Sequence, residues 1–320
     1  MIGRVIMKKI ELVKSILTIL EKAGFHAMQL LDIPRVSFDI IARRDDLLVV
    51  LRVVRNIDSV SRDVSNELKV IANHLNASVL IVGEKSTSSD LEPGMVYTRY
   101  DIPAINPDSL EDLFLYGIKP FSHSAHGGFY VLIDGKLLKR TRMERKIPLS
   151  MLADRAGVSK RSIQMYENGM DVSIETAFRL EEFLDIPLIR STDVLLRVFD
   201  DLLEQHRDLS RCQPFEMEII RALDRMGTPV VPIFRCPFNA LTGTDLTITI
   251  TGIAEIDRNI KKRAELVSKI SRISELPSLF IVNERKTRMS ISGIPIVGKK
   301  EIFRLHDAMD LERLRKERLE

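Results

Sequence analysis

Lys160 and Arg161 open a stretch that continues Ser162, Ile163, Gln164, Met165, Tyr166 and Glu167. Cations at the start of a helix are well placed to reach base-pair edges, and the chemistry on offer is hydrogen bonding and phosphate neutralisation. Such a helix works only if a second one holds it, and the residues just upstream have that pattern. Leu152, Ala153 and Ala156 form the buried face of a first helix, Gly157 supplies a left-handed closure, Val158 plugs the turn and Ser159 caps the second helix. In that second helix Ile163 and Tyr166 fall three apart on the inner face, so Lys160, Arg161, Ser162, Gln164 and Met165 point elsewhere. Asn168-Gly169 ends it.

Charged residues on a helix also suit an ordinary four-helix packing unit, whose polar face is merely solvated. The distribution of charge argues against that. From Lys136 to Met170 there are nine Lys or Arg against Glu144, Asp154 and Glu167, a local +6 in a chain whose total is +3. The remainder is therefore about −3, and the positive field sits on the one module that would use it. Lys139, Arg140, Arg142, Arg145 and Lys146 are the expected source of steering and backbone affinity.

The order Leu-Ala, Ala-Gly-Val-Ser, Ser-x-x-Ile-x-x-Tyr-Glu and Asn-Gly resembles the lambda-repressor/Cro-like helix-turn-helix family, over about Leu137 to Ile189. Leu137 to Ile147 fits the preceding helix and Ser173 to Leu184 the following one. The resemblance implies that Lys160, Arg161 and Met165 read bases, with Ser159, Ser162 and Gln164 at the DNA backbone. Pro148 and Leu149 depart from the family, which often has Ser or Thr and then Gln there, so the first cap and one phosphate contact are not carried over.

At 320 residues and 45% hydrophobic content the chain can bury several cores, and the reader explains only a fraction of it. Cys212 and Cys236 are the only cysteines, which fits a reducing cytoplasm better than a disulfide framework. Neither a secretory signal nor an apolar run of about 18 residues is present, so a cytoplasmic, non-membrane protein is expected. With no Gly-rich phosphate loop and no cysteine-rich ligand cluster, no cofactor or metal is expected.

The segments flanking the reader run in parallel. Helices at Ile10 to Ala23 and Phe215 to Met226 end at Gly24 and Gly227; Phe38 and Phe238 come next, then strands Leu47 to Val54 and Leu246 to Ile253. Each copy continues into a helix, with apolar stripes Val60, Val64, Leu68, Ile71, Leu75 and Ile260, Ala264, Val267. Each then gives a strand, Val79 to Val82 and Leu279 to Val282, and an Ile-Pro at 102–103 and 294–295. The fold class expected is α/β, two α/β units related by duplication, plus a central all-α helix-turn-helix domain.

The first copy, with Phe38-Asp39-Ile40-Ile41-Ala42-Arg43 before an apolar strand bearing a cation, resembles the archaeal Holliday junction resolvase branch of the PD-(D/E)XK nuclease fold. That family implies one Asp, then a second acid two residues before a Lys, the two carboxylates holding Mg²⁺. Asp39 matches the first acid, whereas Val50 takes the second acid's place and Arg52 the Lys. In the second copy Asn239, Thr249 and Thr251 take these places. One carboxylate is a poor cage, so no catalytic residue is assigned. Asp39 reads as a strand-end hydrogen-bonding residue, and Arg52 as either ion-paired or a phosphate contact.

His123-x-x-His126 has metal-like spacing but no acidic or thiol partner nearby in sequence, and reads as a linker leading through Gly127-Gly128 into a short strand. Thr192 to His206 is apolar at helical spacing and suits a connecting or dimer-forming helix, or equally one packed on its own domain. The expected division is 1–118, first nuclease-like domain; 119–136, linker and strand; 137–190, reader; 191–211, connecting helix; 212–320, second nuclease-like domain. Taken whole, the chain resembles an archaeal family of helix-turn-helix transcriptional regulators. That resemblance implies transcriptional regulation; a homodimer on double-stranded DNA is expected because such readers place two recognition helices about one DNA turn apart, and the flanks, lacking the second acid, are expected to be non-catalytic bodies for dimerisation or DNA-backbone contact. The rival reading is a Mg²⁺-dependent, structure-selective nuclease delivered by the reader, and a third is an architectural protein or a regulator gated by a small molecule bound in one α/β body.

Overall fold

A computed structural model describes residues 2–30, 36–125, 128–195, 209–244, 247–255, 259–283 and 290–319. Two compact units group the described residues of 1–53, 60–79 and 196–320, and those of 54–59 and 80–195.

The first α/β copy opens with helix α1 (Ile2–Lys22), whose Leu12, Val13, Ile16 and Leu20 are buried, and the meander β1 (His26–Gln29), β2 (Ile40–Arg44) and β3 (Leu47–Asn56). The near-continuous apolar run of β3 buries both of its faces, as a central strand must. Helix α2 (Arg62–His74), capped by Ser61, then leads to β4 (Ser78–Lys85), β5 (Met95–Arg99), β6 (Ile102–Ile105) and α3 (Pro107–Glu111). The second copy has α8 (Pro214–Arg225), β11 (Val230–Pro232), β12 (Ala240–Thr244), β13 (Thr247–Ala254), α9 (Ile260–Ser274), β14 (Ser278–Val282), β15 (Ser290–Ile291) and β16 (Ile294–Gly298). It ends with α10 (Lys299–Ile302) and α11 (Ala308–Glu317).

Strand order is β1-β2-β3-β4-β6-β5 in the first copy and β11-β12-β13-β14-β16-β15 in the second, so the two share one topology. Their registers also coincide at a constant offset. Asp39 N donates to Leu51 O at 2.8 Å, and Asn239 N to Thr251 O at 2.9 Å. Val53 N donates to an Asp39 carboxylate oxygen and Ile253 N to Asn239 Oδ1, at 2.8 and 2.9 Å. By this ladder Val50 and Arg52 correspond to Ile250 and Gly252, one residue beyond the Thr249 and Thr251 expected from the sequence.

Within their shared unit, the second copy docks on the N-terminal elements of the first. The buried Glu67 of α2 accepts from Ser37 Oγ (2.5 Å), Phe234 N (3.1 Å) and Arg235 N (2.9 Å), its oxygens satisfied by a turn of the other copy. Arg43 of β2 donates to the carbonyls of Ile273 and Ser274 at the end of α9, at 2.6 and 2.9 Å.

In the other unit the stretch expected to be a linker and a short strand holds two strands. Strand β7 (Ser122–Ala125) pairs parallel to β5 and antiparallel to β8 (Gly128–Ile133). Helices α4 (Gly135–Glu144), α5 (Leu149–Ala156) and α6 (Lys160–Glu167) come next, then β9 (Val172–Ser173), α7 (Ile174–Leu184) and β10 (Ile189–Arg190), both short strands returning to β8. His123 is not partnerless: its Nε2 lies 3.1 Å from the Asp171 carboxylate. His126 and most of the expected connecting helix lie outside the described residues, and 191–195 is not helical. Cys212 and Cys236 are free thiols. No described helix is long and apolar enough to cross a membrane.

Candidate nucleic-acid interface

Helix α5 buries Leu152, Ala153 and Ala156 in a core shared with Leu138, Ile163, Val172, Ala177, Leu180 and Leu184. Pro148 sits at its N-cap without a side-chain bond. Gly157 closes it at φ 72°, its amide shared between Ala153 O and Asp154 O, a conformation glycine adopts without steric cost. Ser159 then caps α6, its Oγ accepting from Ser162 N at 3.0 Å.

Helix α6 divides cleanly. Ile163 and Glu167 are buried and Tyr166 is half-buried, whereas Lys160, Arg161, Gln164 and Met165 face solvent. The first turn carries two cations and no acid, against the preference of the helix dipole. A helix charged this way gives up some stability, and its N-terminus gains affinity for polyanions instead.

Two contacts fix α6 against α4. Arg142 of α4 grips Glu167 in a bidentate pair, Nε to Oε1 at 2.5 Å and the terminal nitrogen to Oε2 at 3.1 Å, with the Glu167 side chain only 5% exposed. That hydrogen-bonded carboxylate raises the Arg142 pKa still further. Arg142, expected among the backbone contacts, is thus committed to an intramolecular partner, with its own side chain 15% exposed. Gly135 provides the second contact: a Cβ there would lie 2.3 Å from Tyr166 O and 2.9 Å from Glu167 O. Backbone oxygens cannot swing aside, so Gly135→Ala is expected to destabilise the reader by about 1–3 kcal/mol, read as a lower denaturation midpoint.

The remaining expected residues separate by environment. Lys139, Arg140 and Lys146 are exposed on and just after α4. Arg145 is exposed as well, and it also donates to Leu184 O at 2.7 Å, capping α7. Ser159 is exposed, and the half-buried Ser162 has its hydroxyl 2.9 Å from Ser159 Oγ. Asp134 caps α4 by accepting from Leu137 N; that bond and Arg190 hold its carboxyl below the usual range.

At the nuclease-like positions, Asp39 is 2% exposed and surrounded by donors. Lys9 Nζ lies 2.6 Å from one oxygen; Val53 N at 2.8 Å and Arg52 at 3.3 Å meet the other. Arg52 also donates to Val36 O. Two side-chain cations thus occupy the charge environment a divalent ion would need, and apolar Val50 adds no ligand. These residues do not fit Mg²⁺. In the second copy Asn239 Oδ1 accepts from Ile253 N and from Arg263 at 2.6 Å, while its amide donates to Glu216, so the neutral side chain keeps the same architectural bond. Among the described residues no group of three or more His, Cys, Asp or Glu could hold a metal ion. Lys9 was missed in the sequence, as was the pairing of Arg142 with Glu167.

Comparison with known proteins matches both architectures. Residues 9–120 match the PD-(D/E)XK superfamily domain and residues 138–190 match the helix-turn-helix family. No solved structure matches. A protein from Methanosarcina acetivorans, named "Putative HTH-type transcriptional regulatory protein", is 34% identical over 95% of this chain and 96% of its own length. Proteins of the same designation from Natronomonas pharaonis and Haloarcula marismortui are 35% and 33% identical, covering 98% of this chain and 100% and 98% of their own lengths. At that identity across nearly the whole length, with the nuclease-like and helix-turn-helix units in the same chain, this protein belongs to the archaeal family of HTH-type transcriptional regulatory proteins.

Proposed function

We infer that the protein is a sequence-specific double-stranded DNA-binding regulator that lays α6 in the major groove. Lys160, Arg161 and Met165 read bases, Ser159, Ser162 and Gln164 sit at the backbone, and Lys139, Arg140, Arg145 and Lys146 add phosphate affinity. The observation that carries this reading is the division of α6: its inner face is locked by Ile163 and the Arg142–Glu167 pair, while the residues that would reach bases are in solvent. Two recognition helices about one DNA turn apart read a two-fold site, so a homodimer is the form proposed for binding. The nuclease-like copies dock on each other within one chain, which favours contacts elsewhere for that dimer. Selecting bound duplex from a genomic pool tests the reading: recovery of one enriched, two-fold-related site supports it, and uniform recovery overturns it.

The flanks are proposed to be non-catalytic bodies, on the ground that Asp39 is held by Lys9 and Arg52. Incubation of branched and linear DNA with Mg²⁺ or Mn²⁺ is expected to leave both intact. Cleavage that disappears in Asp39→Ala would favour the nuclease instead.

A further inference from the structure

The two α/β copies differ in polarity at the hairpin end of their sheets. Gly24 and Gly227 end α1 and α8 at φ 80° and 73°. The backbone bonds just beyond them are the same: Phe25 N to Leu20 O at 2.9 Å, and Thr228 N to Leu223 O at 3.0 Å. Thr228 therefore stands where the first copy has Phe25, which is buried beneath the Arg44 guanidinium. The facing strands change in step. Ala42 opposite Val49 becomes Thr242 opposite Thr249, and Ile40 opposite Leu51 becomes Ala240 opposite Thr251.

Where the first copy has an aromatic ring and aliphatic walls, the second has hydroxyls and a cavity of about 620 Å³ beneath α11. This falls within the roughly 300–1,000 Å³ of small-molecule sites. Thr228 is 4% exposed, and its buried Oγ1 has no hydrogen-bond partner among the described residues. A buried hydroxyl left unpaired is costly, and a ligand atom would satisfy it. Leu279 and Leu311 give the cavity an apolar side. Its α11 side carries both signs of charge, with Glu312 paired to Arg315 at 2.5 Å, Lys316 at 3.7 Å from it, and Glu317 beyond.

We propose that this cavity binds a small zwitterion with an apolar side group, the chemistry of a free amino acid. The ammonium faces Glu312 and Glu317, the carboxylate faces Arg315 and Lys316, the apolar group lies on Leu279 and Leu311, and Thr228 contributes the remaining hydrogen bond. The inference is independent of DNA binding, because its readout needs no DNA.

The test is calorimetric titration and thermal melting of the full chain with millimolar L-leucine, L-methionine or L-phenylalanine. Saturable binding with a raised melting temperature is expected for at least one. Thr228→Phe, which restores the first copy's side chain, is expected to fold and to bind about tenfold more weakly or not at all. Thr228→Val keeps the volume but not the hydroxyl; it is expected to melt near the wild type and also to bind more weakly, so the test survives a misfolded Phe variant. Absence of binding by all three amino acids overturns the proposal, as does wild-type affinity in a folded Phe or Val variant.

Discussion

Alanine at both Lys160 and Arg161 is expected to weaken binding to a duplex selected by the intact protein by about thirtyfold or more. Each base-reading contact is worth about 1–3 kcal/mol of discrimination, so losing two costs about 2–6 kcal/mol in binding free energy. Both side chains are exposed on the first turn of α6, and the helix is held by residues on its other face. Melting should therefore change by no more than about 0.5 kcal/mol. The direction of that small change is itself informative: removing two exposed cations from a helix N-terminus relieves an unfavourable interaction with the helix dipole, so any change should stabilise. The measurement is a mobility-shift titration on the selected duplex and on a scrambled one, beside a denaturation curve. Unchanged affinity for the selected site would sink the assignment of α6 as the reading helix.

The reader was legible because its determinants are local. A left-handed glycine, a serine cap and two inner residues three apart occupy one short window, and the structure places them as that chemistry requires. The repeat was legible for a different reason: the order of helices, strands and Ile-Pro dipeptides survives even where side chains diverge. Its register was not, because apolar patterning cannot decide between adjacent positions along β13, where threonine and isoleucine alternate. The hydrogen-bond ladder decides, and a one-residue slip exchanges the faces of a strand. That is why Ile250 and Gly252, and not Thr249 and Thr251, correspond to Val50 and Arg52.

Long-range charge pairing left the least trace in the sequence. Lys9 reaches Asp39 from a helix 30 residues earlier, and Arg142 reaches Glu167 across 25 residues. A cation on a helix looks the same in sequence whether it faces phosphate or a buried carboxylate. Strand β7 was hidden by its composition: Ser-His-Ser-Ala has weak β propensity, and pairing with β5 and β8 supplies what the sequence lacks.

The Arg142–Glu167 pair gives the sharpest separation between structural and DNA-contacting cations. Arg142→Ala leaves the Glu167 carboxylate buried without its guanidinium, and truncating one member of a buried pair costs about 3–5 kcal/mol, a large part of the stability of a small domain. A variant that removes both charges, Arg142→Met with Glu167→Leu, is expected to recover most of that loss, because well-packed apolar groups often replace a buried ion pair at little cost. Urea denaturation of the three proteins measures the coupling directly. DNA affinity then discriminates between roles. If Arg142 acts only through α6, the double variant should bind the selected duplex nearly as well as the wild type. If the guanidinium instead touches phosphate, affinity stays low after stability returns, and the salt dependence of binding falls by about one phosphate contact. The 5% exposure of the Glu167 side chain and the two-point geometry of the pair favour the first outcome. In that case the positive surface offered to DNA narrows to Lys139, Arg140, Arg145, Lys146 and the start of α6.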